Sequence, residues 1–246
     1  MITNSYDDKS QAIISPQNKD IKPKCDVIIA TFSNLIEEYV INKFKATKVN
    51  QFSCVNGKFP IYIFKYNKKT FGFYKTLLGS PASVGMIEDV ATMLDCNKFL
   101  IFGSAGTLDK NCYGKVIVPT FAYRDEGTSY HYAKPKDYIE IKNNKIVADF
   151  MAKNSIPYNS GKTWTTDAFY RETQNNLKKR KEDGCIAVDM ECSALQAVCD
   201  FRGLDLYYFF LSGDLLDAPK WEKEGLSEAN HNFHNFDIAL HLACEL

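Results

Sequence analysis

Short apolar runs of strand length alternate along this chain with stretches whose apolar residues recur every three or four positions, the pattern of strands trading places with helices. The run Asp26 to Ala30 predicts a strand, and Thr31-Phe32-Ser33 turns it into a helix carried by Leu35, Ile36, Tyr39 and Val40. A strand pair is predicted over 59–65 and 70–78, turned by Asn67-Lys68-Lys69. Gly79-Ser80-Pro81 then supplies a turn, a cap and a first-turn proline for a helix buried through Val84, Ile87, Val90, Ala91 and Leu94. The strand 99–102 is expected to end in a turn, Gly103-Ser104-Ala105-Gly106. Further strands are read at 115–119, 121–123 and 161–166, with helices at 143–154 and 173–181. The apolar run Cys185 to Val188 leads into a helix that Gly203 stops. Strand 206–211 leads into the turn Ser212-Gly213-Asp214, and a terminal helix spans 227–246, with Phe233, Phe236, Leu240 and Ala243 on one face. The reading is α/β. Without repeats or linkers, it predicts one domain over 23–246 behind a polar leader at 1–22.

Composition narrows the partners. Among 246 residues, thirty basic side chains balance thirty acidic ones, so net charge favours neither nucleic acid nor an anionic membrane. The eight cysteines sit singly in apolar segments with no C-x-x-C pair and no histidine cluster, which predicts reduced thiols and no metal site. The first twenty residues lack the apolar core of a signal peptide, and no run is long enough to span a bilayer. A cytoplasmic location is expected.

The chemistry concentrates at Val188-Asp189-Met190-Glu191-Cys192-Ser193, where a buried strand delivers two carboxylates and a thioether into a helix. Acidic residues also suit a helix start for electrostatic reasons alone. A further acid, Asp214, follows the strand at 206–211, where a turn aspartate is the plain alternative. Acidic strand ends of this kind belong at the carboxyl edge of an α/β sheet, where ligands bind.

Taken in order, five segments resemble the nucleoside phosphorylases of the uridine and hexameric purine type, a family that also holds nucleoside N-ribohydrolases. They are Gly103-Ser104-Ala105-Gly106, the stretch from Arg124 to Tyr132, Thr166-Asp167-Ala168-Phe169-Tyr170, Asp189-Met190-Glu191, and Asp214. The resemblance implies one α/β domain around a central mixed, curved and partly barrel-like sheet flanked by helices. It also implies a homo-oligomer, dimer or hexamer built of dimers, acting on a nucleoside with inorganic phosphate as co-substrate and no other cofactor. Cleavage passes through an oxocarbenium-like sugar. By resemblance Glu191 grips the 2′- and 3′-hydroxyls, Met190 floors the sugar, and Asp189 lies beside them in local polar contacts. Asp214 protonates the leaving base, Phe169 stacks on it, and Ser104, Ala105 and Gly106 approach phosphate and base.

Two departures stand out. The family's phosphate loop, Gly-Asp-Pro-x-Arg, is replaced by Thr31-Phe32-Ser33-Asn34-Leu35, and a second family arginine is replaced by Ile101. Lys48, Lys75, Arg124 or Arg171 are the cations left to hold phosphate, within the chain or from a neighbouring subunit. The hydrolase branch shares the Gly-Ser-Ala-Gly segment but places a glutamate in the first loop, which this chain lacks. Phosphorolysis is the expected reaction, with hydrolysis or silent nucleoside binding as alternatives. His131 is read as a core or interface histidine, Trp164 and Trp221 as packing, and Lys178, Lys179, Arg180 and Lys181 as a solvated helix face.

Overall fold

The computed structural model describes residues 1–17, 22–217 and 221–246. Residues 18–21 of the expected leader lie outside these, and its described part carries one short 3-10 turn, Ile2–Asn4.

The first half unfolds in sequence as β1 (Val27–Thr31), α1 (Asn34–Phe44), β2 (Thr47–Cys54), β3 (Gly57–Tyr66), β4 (Lys69–Lys75), α2 (Ser80–Met93) and β5 (Lys98–Thr107). There follow β6 (Val116–Asp125), the short α3 (Ser129–Tyr132), β7 (Tyr138–Glu140), α4 (Asn144–Lys153), β8 (Tyr158–Thr166) and α5 (Gln174–Glu182). The chain closes with β9 (Cys185–Asp189), α6 (Cys192–Arg202), β10 (Asp205–Leu215), α7 (Leu226–His231) and α8 (Phe233–Glu245).

All ten strands join one mixed sheet, in the order β10-β6-β8-β9-β5-β1-β4-β3-β2 with β7 beside β6. Because β5 also pairs with β10, the strands β5, β10, β6, β8 and β9 close into a five-stranded barrel, and β1 to β4 extend from it as an open wing. The curved, partly barrel-like sheet expected by resemblance is therefore present. Helices α2 and α6 cover one face through Val84, Ile87, Val90, Ala194, Leu195 and Val198. Helices α1, α4 and α8 cover the other through Ile36, Val40, Val147, Phe150, Phe236 and Leu240. Both faces of β1 are buried, which is why its sequence is continuously apolar rather than alternating.

Three expectations are corrected, and one strand was not foreseen. Gly103-Ser104-Ala105-Gly106 is no turn, since β5 runs through it in register with β10. Likewise Ser212-Gly213-Asp214 lies inside β10, bent where the pairing shifts between Ser212 and Leu215. Apolar runs marked only the halves built of large apolar residues, and closure of the barrel carries both strands onward through small residues that are largely buried as well. The terminal helix breaks at Asn232, whose extended backbone ends α7 and whose side chain accepts the His234 N–H at 2.9 Å to start α8. Strand β2 went unread because its exposed Lys48 and Ser53 and half-buried Asn50 and Gln51 give no apolar run.

Outside the main sheet, Arg180 is buried rather than solvated, stacked 3.6 Å from the Tyr123 ring centre and paired with Asp183 at 2.9 Å. His131 is exposed at α3, away from the core. Trp164 is a core residue whose Nε1 donates to Asp125 at 2.9 Å. No disulfide links the eight thiols, and no helix is long and apolar enough to cross a membrane among the described residues.

Phe236 anchors α8 to the wing, its buried ring meeting those of Tyr39, Phe44, Phe64 and Phe73. Phe236→Ala is expected to lower unfolding free energy by about 3–5 kcal/mol in a urea titration; a loss under about 1 kcal/mol would show that this ring cluster does not hold α8.

Candidate active site

The strand ends of β1, β5, β9 and β10, with the loops after β4 and β8, bring the predicted residues to one edge of the sheet. The β9–α6 junction is the centre. Asp189 is buried and accepts four hydrogen bonds: from Thr163 Oγ1 at 2.9 Å, Thr165 Oγ1 at 3.0 Å, and the N–H groups of Glu191 at 2.8 Å and Cys192 at 2.6 Å. It ties β8 to β9 and caps α6, so its oxygens are occupied within the chain. Burial raises its carboxyl to about 6 against the opposing pull of those donors.

Glu191, 5% exposed, is arranged differently. One oxygen accepts the Gly79 N–H at 2.6 Å, reaching from α6 to the loop after β4. Burial first, and the nearby Asp189 charge second, push its carboxyl up to about 8. Met190 lies between these two acids, and its carbonyl accepts a hydrogen bond from Ser80 Oγ at 2.7 Å. The sequence placed this trio correctly at a strand-to-helix junction. The difference between the two acids, side-chain and backbone donors on Asp189 against backbone donors alone on Glu191, is visible only in three dimensions.

Asp214 stands over Gly106. A Cβ on that glycine would come within 3.4 Å of Asp214 Oδ1, and within 2.6 Å and 2.9 Å of Leu216 and Val188 side-chain carbons. The small residue therefore leaves room for Leu216 and Val188 beside the carboxylate. Asp214 Oδ2 accepts from Trp221 Nε1 at 2.6 Å, so Trp221 is a half-exposed hydrogen-bond partner rather than core packing. Asp217, the acid nearest in sequence, instead pairs with Lys181 at 2.6 Å. Ser104 Oγ donates to Asn230 Oδ1 at 2.7 Å, and the neighbouring Ala105 is buried.

Phe169 lies 46% exposed on a 3-10 turn, Phe169–Arg171, against the Tyr170 ring. Asp167 steadies this turn by accepting the Gly127 N–H at 3.0 Å. Glu172, which the sequence analysis did not single out, closes the turn. Its carboxyl is pushed up to about 7 by burial, then by the charges of Asp214 and Asp189. A signal for it existed, an acid three residues beyond the stacking aromatic, but no strand end marked it.

None of the four sequence-named cations meets this cluster unpaired. Arg124 is buried, its guanidinium bonded to Ser129 Oγ at 2.7 Å and to the carbonyls of Ala133, Lys134 and Lys136. Lys75 pairs with Glu37 at 3.6 Å, Lys48 bonds Gln51 at 2.8 Å on β2, and Arg171 is exposed on its turn. Ile101 is in the core. Where the phosphate loop would lie, Phe32 covers Gly103, its ring 2.9 Å from where a Cβ would be. Two surface clefts, about 510 and 450 Å³, lie elsewhere, beside Tyr39 and Phe233 and beside Cys25 and Asp95. The candidate site is instead covered by residues 221–231, through Trp221 on Asp214 and Asn230 on Ser104.

The profile of the phosphorylase superfamily matches residues 27–236, the whole barrel and wing. This chain belongs to that superfamily. Its similarity to a uridine phosphorylase of Haemophilus influenzae is 28% identity over 148 residues, 52% of this chain and 58% of the relative. A 5′-methylthioadenosine/S-adenosylhomocysteine nucleosidase of Buchnera aphidicola is also 28% identical, over 160 residues, 57% of this chain and 66% of the relative. The matches thus span less than two thirds of those relatives' own length. A uridine phosphorylase structure from Vibrio fischeri shares the fold with a TM-score of 0.74 at 19% identity, covering 96% of this chain and all of that one. Superfamily membership embraces both phosphorolytic and hydrolytic relatives.

The raised carboxyl of Glu191 has a consequence for stability. Unfolded, the group releases its proton near 4.5; folded, it holds it to about 8. The folded state binds the extra proton between those values, so stability falls as pH rises through them. Urea titrations at about pH 5 and about pH 8.5 are expected to show this decline in the native chain and a flatter one in Glu191→Gln; an equal decline in both would remove Glu191 as its source.

Proposed function

We propose that this chain cleaves the N-glycosidic bond of a nucleoside and that water is the acceptor. The observation that carries the reading is Glu191, a buried carboxylate at a strand-to-helix junction whose donors among the described residues are backbone N–H groups, those of Gly79 and Met190. Its remaining acceptor positions suit a vicinal diol, and a carboxylate held there stabilises positive charge developing on the sugar. Met190 floors the ring, Asp189 holds the junction, and Phe169 stacks on the base. Asp214 delivers a proton to the departing base, with Glu172 as the neighbouring group that retains one near neutral pH. Ser104, Ala105 and Gly106 form the β5 wall. Arg124 acts as a structural clamp, and Arg171 lies at the entrance.

Electrostatics favours water over phosphate. Among the described residues the charges acting on Glu172 are those of Asp214 and Asp189, and those acting on Glu191 are those of Asp189 and Asp167, all carboxylates. Unit charges about 4 Å apart repel by about 4 kcal/mol at an effective dielectric of about 20. A phosphate dianion would meet that repulsion without the guanidinium groups that normally offset it. Phosphorolysis is the second reading, supported by the relation to uridine phosphorylase and by Lys48 standing exposed on β2, where it could reach a second copy. The homo-oligomer belongs to this proposal too. Leu78 and Tyr170, 67% and 87% exposed, leave apolar surface near the site for a neighbouring subunit.

Purified protein incubated with a panel of purine and pyrimidine nucleosides, with and without phosphate, tests the acceptor by chromatography of released base. Release without phosphate is expected; release only with phosphate would establish the second reading, and binding without release would leave a nucleoside-binding protein. Glu191→Gln should lower kcat/KM by about 10²–10³, the scale of losing one transition-state contact of this kind. In the native enzyme kcat/KM should climb as pH approaches about 8 and Glu191 ionises. A pH profile already flat below neutrality would argue that Glu191 does not work as a carboxylate.

A further inference from the structure

Outside the resemblance altogether lies the pair formed by Ser33 and His231. Ser33 Oγ and His231 Nδ1 are 2.7 Å apart, joining residues 198 positions distant in sequence. Ser33 is buried and already accepts the Ile36 N–H at 3.2 Å as the cap of α1, so its hydroxyl is fixed in place. It follows β1 as Ser104 follows the paired residue of β5, since Thr31 and Phe102 are register partners and each serine lies two residues on. His231 and Asn230 therefore reach adjacent strand ends, Asn230 to Ser104 and His231 to Ser33.

The helix that carries them is seated closely. A Cβ on Gly225 would lie 2.6 Å from the Gly213 carbonyl, one on Gly213 would touch Leu226 at 3.0 Å, and Asn235 Nδ2 holds the Ala229 carbonyl at 2.9 Å. Nothing in this arrangement is cationic by necessity. It is a polar subsite of two hydroxyls, an amide and an imidazole, placed where the relatives' anion loop would begin.

We infer that His231, positioned by Ser33, is the catalytic base that activates the attacking water, with Asn230 and Ser104 beside it; this rests on the hydrolytic reading above. In the tautomer that donates Nδ1–H to Ser33 Oγ, Nε2 keeps its lone pair, and no hydrogen bond of Nε2 occurs among the described residues. The water oxygen bonds to C1′ as the C1′–N bond breaks and its electron pair leaves with the base. The water's proton passes to Nε2, and Asp214 gives a proton to the departing base nitrogen. Nε2 then releases its proton to solvent while Asp214 regains one, so the enzyme returns to its starting state and the products are free base and free pentose.

The test uses the full chain and a nucleoside that it cleaves. His231→Ala should lower kcat by about 100-fold or more, the usual scale of general-base catalysis, while KM changes less than about threefold. Added imidazole should restore part of the lost kcat, a rescue that a merely structural histidine would not show. If His231→Ala lowers the melting temperature, His231→Asn, which keeps a donor for Ser33, carries the same measurement. Retention of kcat within about threefold, or a loss that imidazole leaves untouched, overturns the assignment. With Glu191→Gln still inactive in that event, the hydrolytic reading stands without His231. If the wild-type chain releases base only with phosphate, or not at all, that reading falls and the role of His231 falls with it.

Discussion

Two carboxylates are buried within three residues of each other at the end of β9, and the local architecture is organised around making that tolerable. An ionised carboxylate removed from water without partners is costly enough that it ordinarily takes up a proton instead. Asp189 is accommodated by four donors, two of them threonines of β8 and two the first N–H groups of α6. Glu191 receives only backbone donors among the described residues, from Gly79 and Met190, and no side-chain donor. The difference is chemical. The first carboxylate is consumed in joining strand, strand and helix, whereas the second keeps acceptor capacity that no side chain among the described residues fills.

That constraint explains the placement of the surrounding parts. The Gly79 N–H must reach Glu191, so the loop after β4 is drawn against α6, and Ser80 fastens it again on the Met190 carbonyl. On the other side Gly106 leaves room for Leu216 and Val188 beside Asp214, whose carboxylate is covered by Trp221. The segment 221–231 is thus part of the site rather than a tail beyond it. Its bonds to Asp214, Ser104 and Ser33 link three strand ends that the sheet places side by side.

Much of the fold was legible beforehand because its strongest signals are periodic. The doubly buried β1 is a continuous apolar run, and α2 announces itself by glycine, serine and proline before a helical stripe. Legibility failed where burial is partial or where closure, not hydrophobicity, extends a strand. The half-exposed β2 shows no pattern, and β5 and β10 continue through small residues that read as turns in isolation. Arg180 looked solvated within a basic run, yet the Tyr123 ring and Asp183 draw it inward.

For the site, the chain alone determined which residue types stand at the strand ends: Asp189, Met190, Glu191, Asp214 and the small residues of β5. Order along a chain suffices for that, because strand-to-helix junctions are local. Only the tertiary structure decided which acid is spent on side chains and which keeps acceptor capacity, that Arg124 is locked among carbonyls, and that Glu172, Trp221, Asn230 and His231 belong to the same edge. Those outcomes depend on hydrogen bonds and desolvation between residues far apart in sequence. Such pairings have no periodic trace in the chain that makes them.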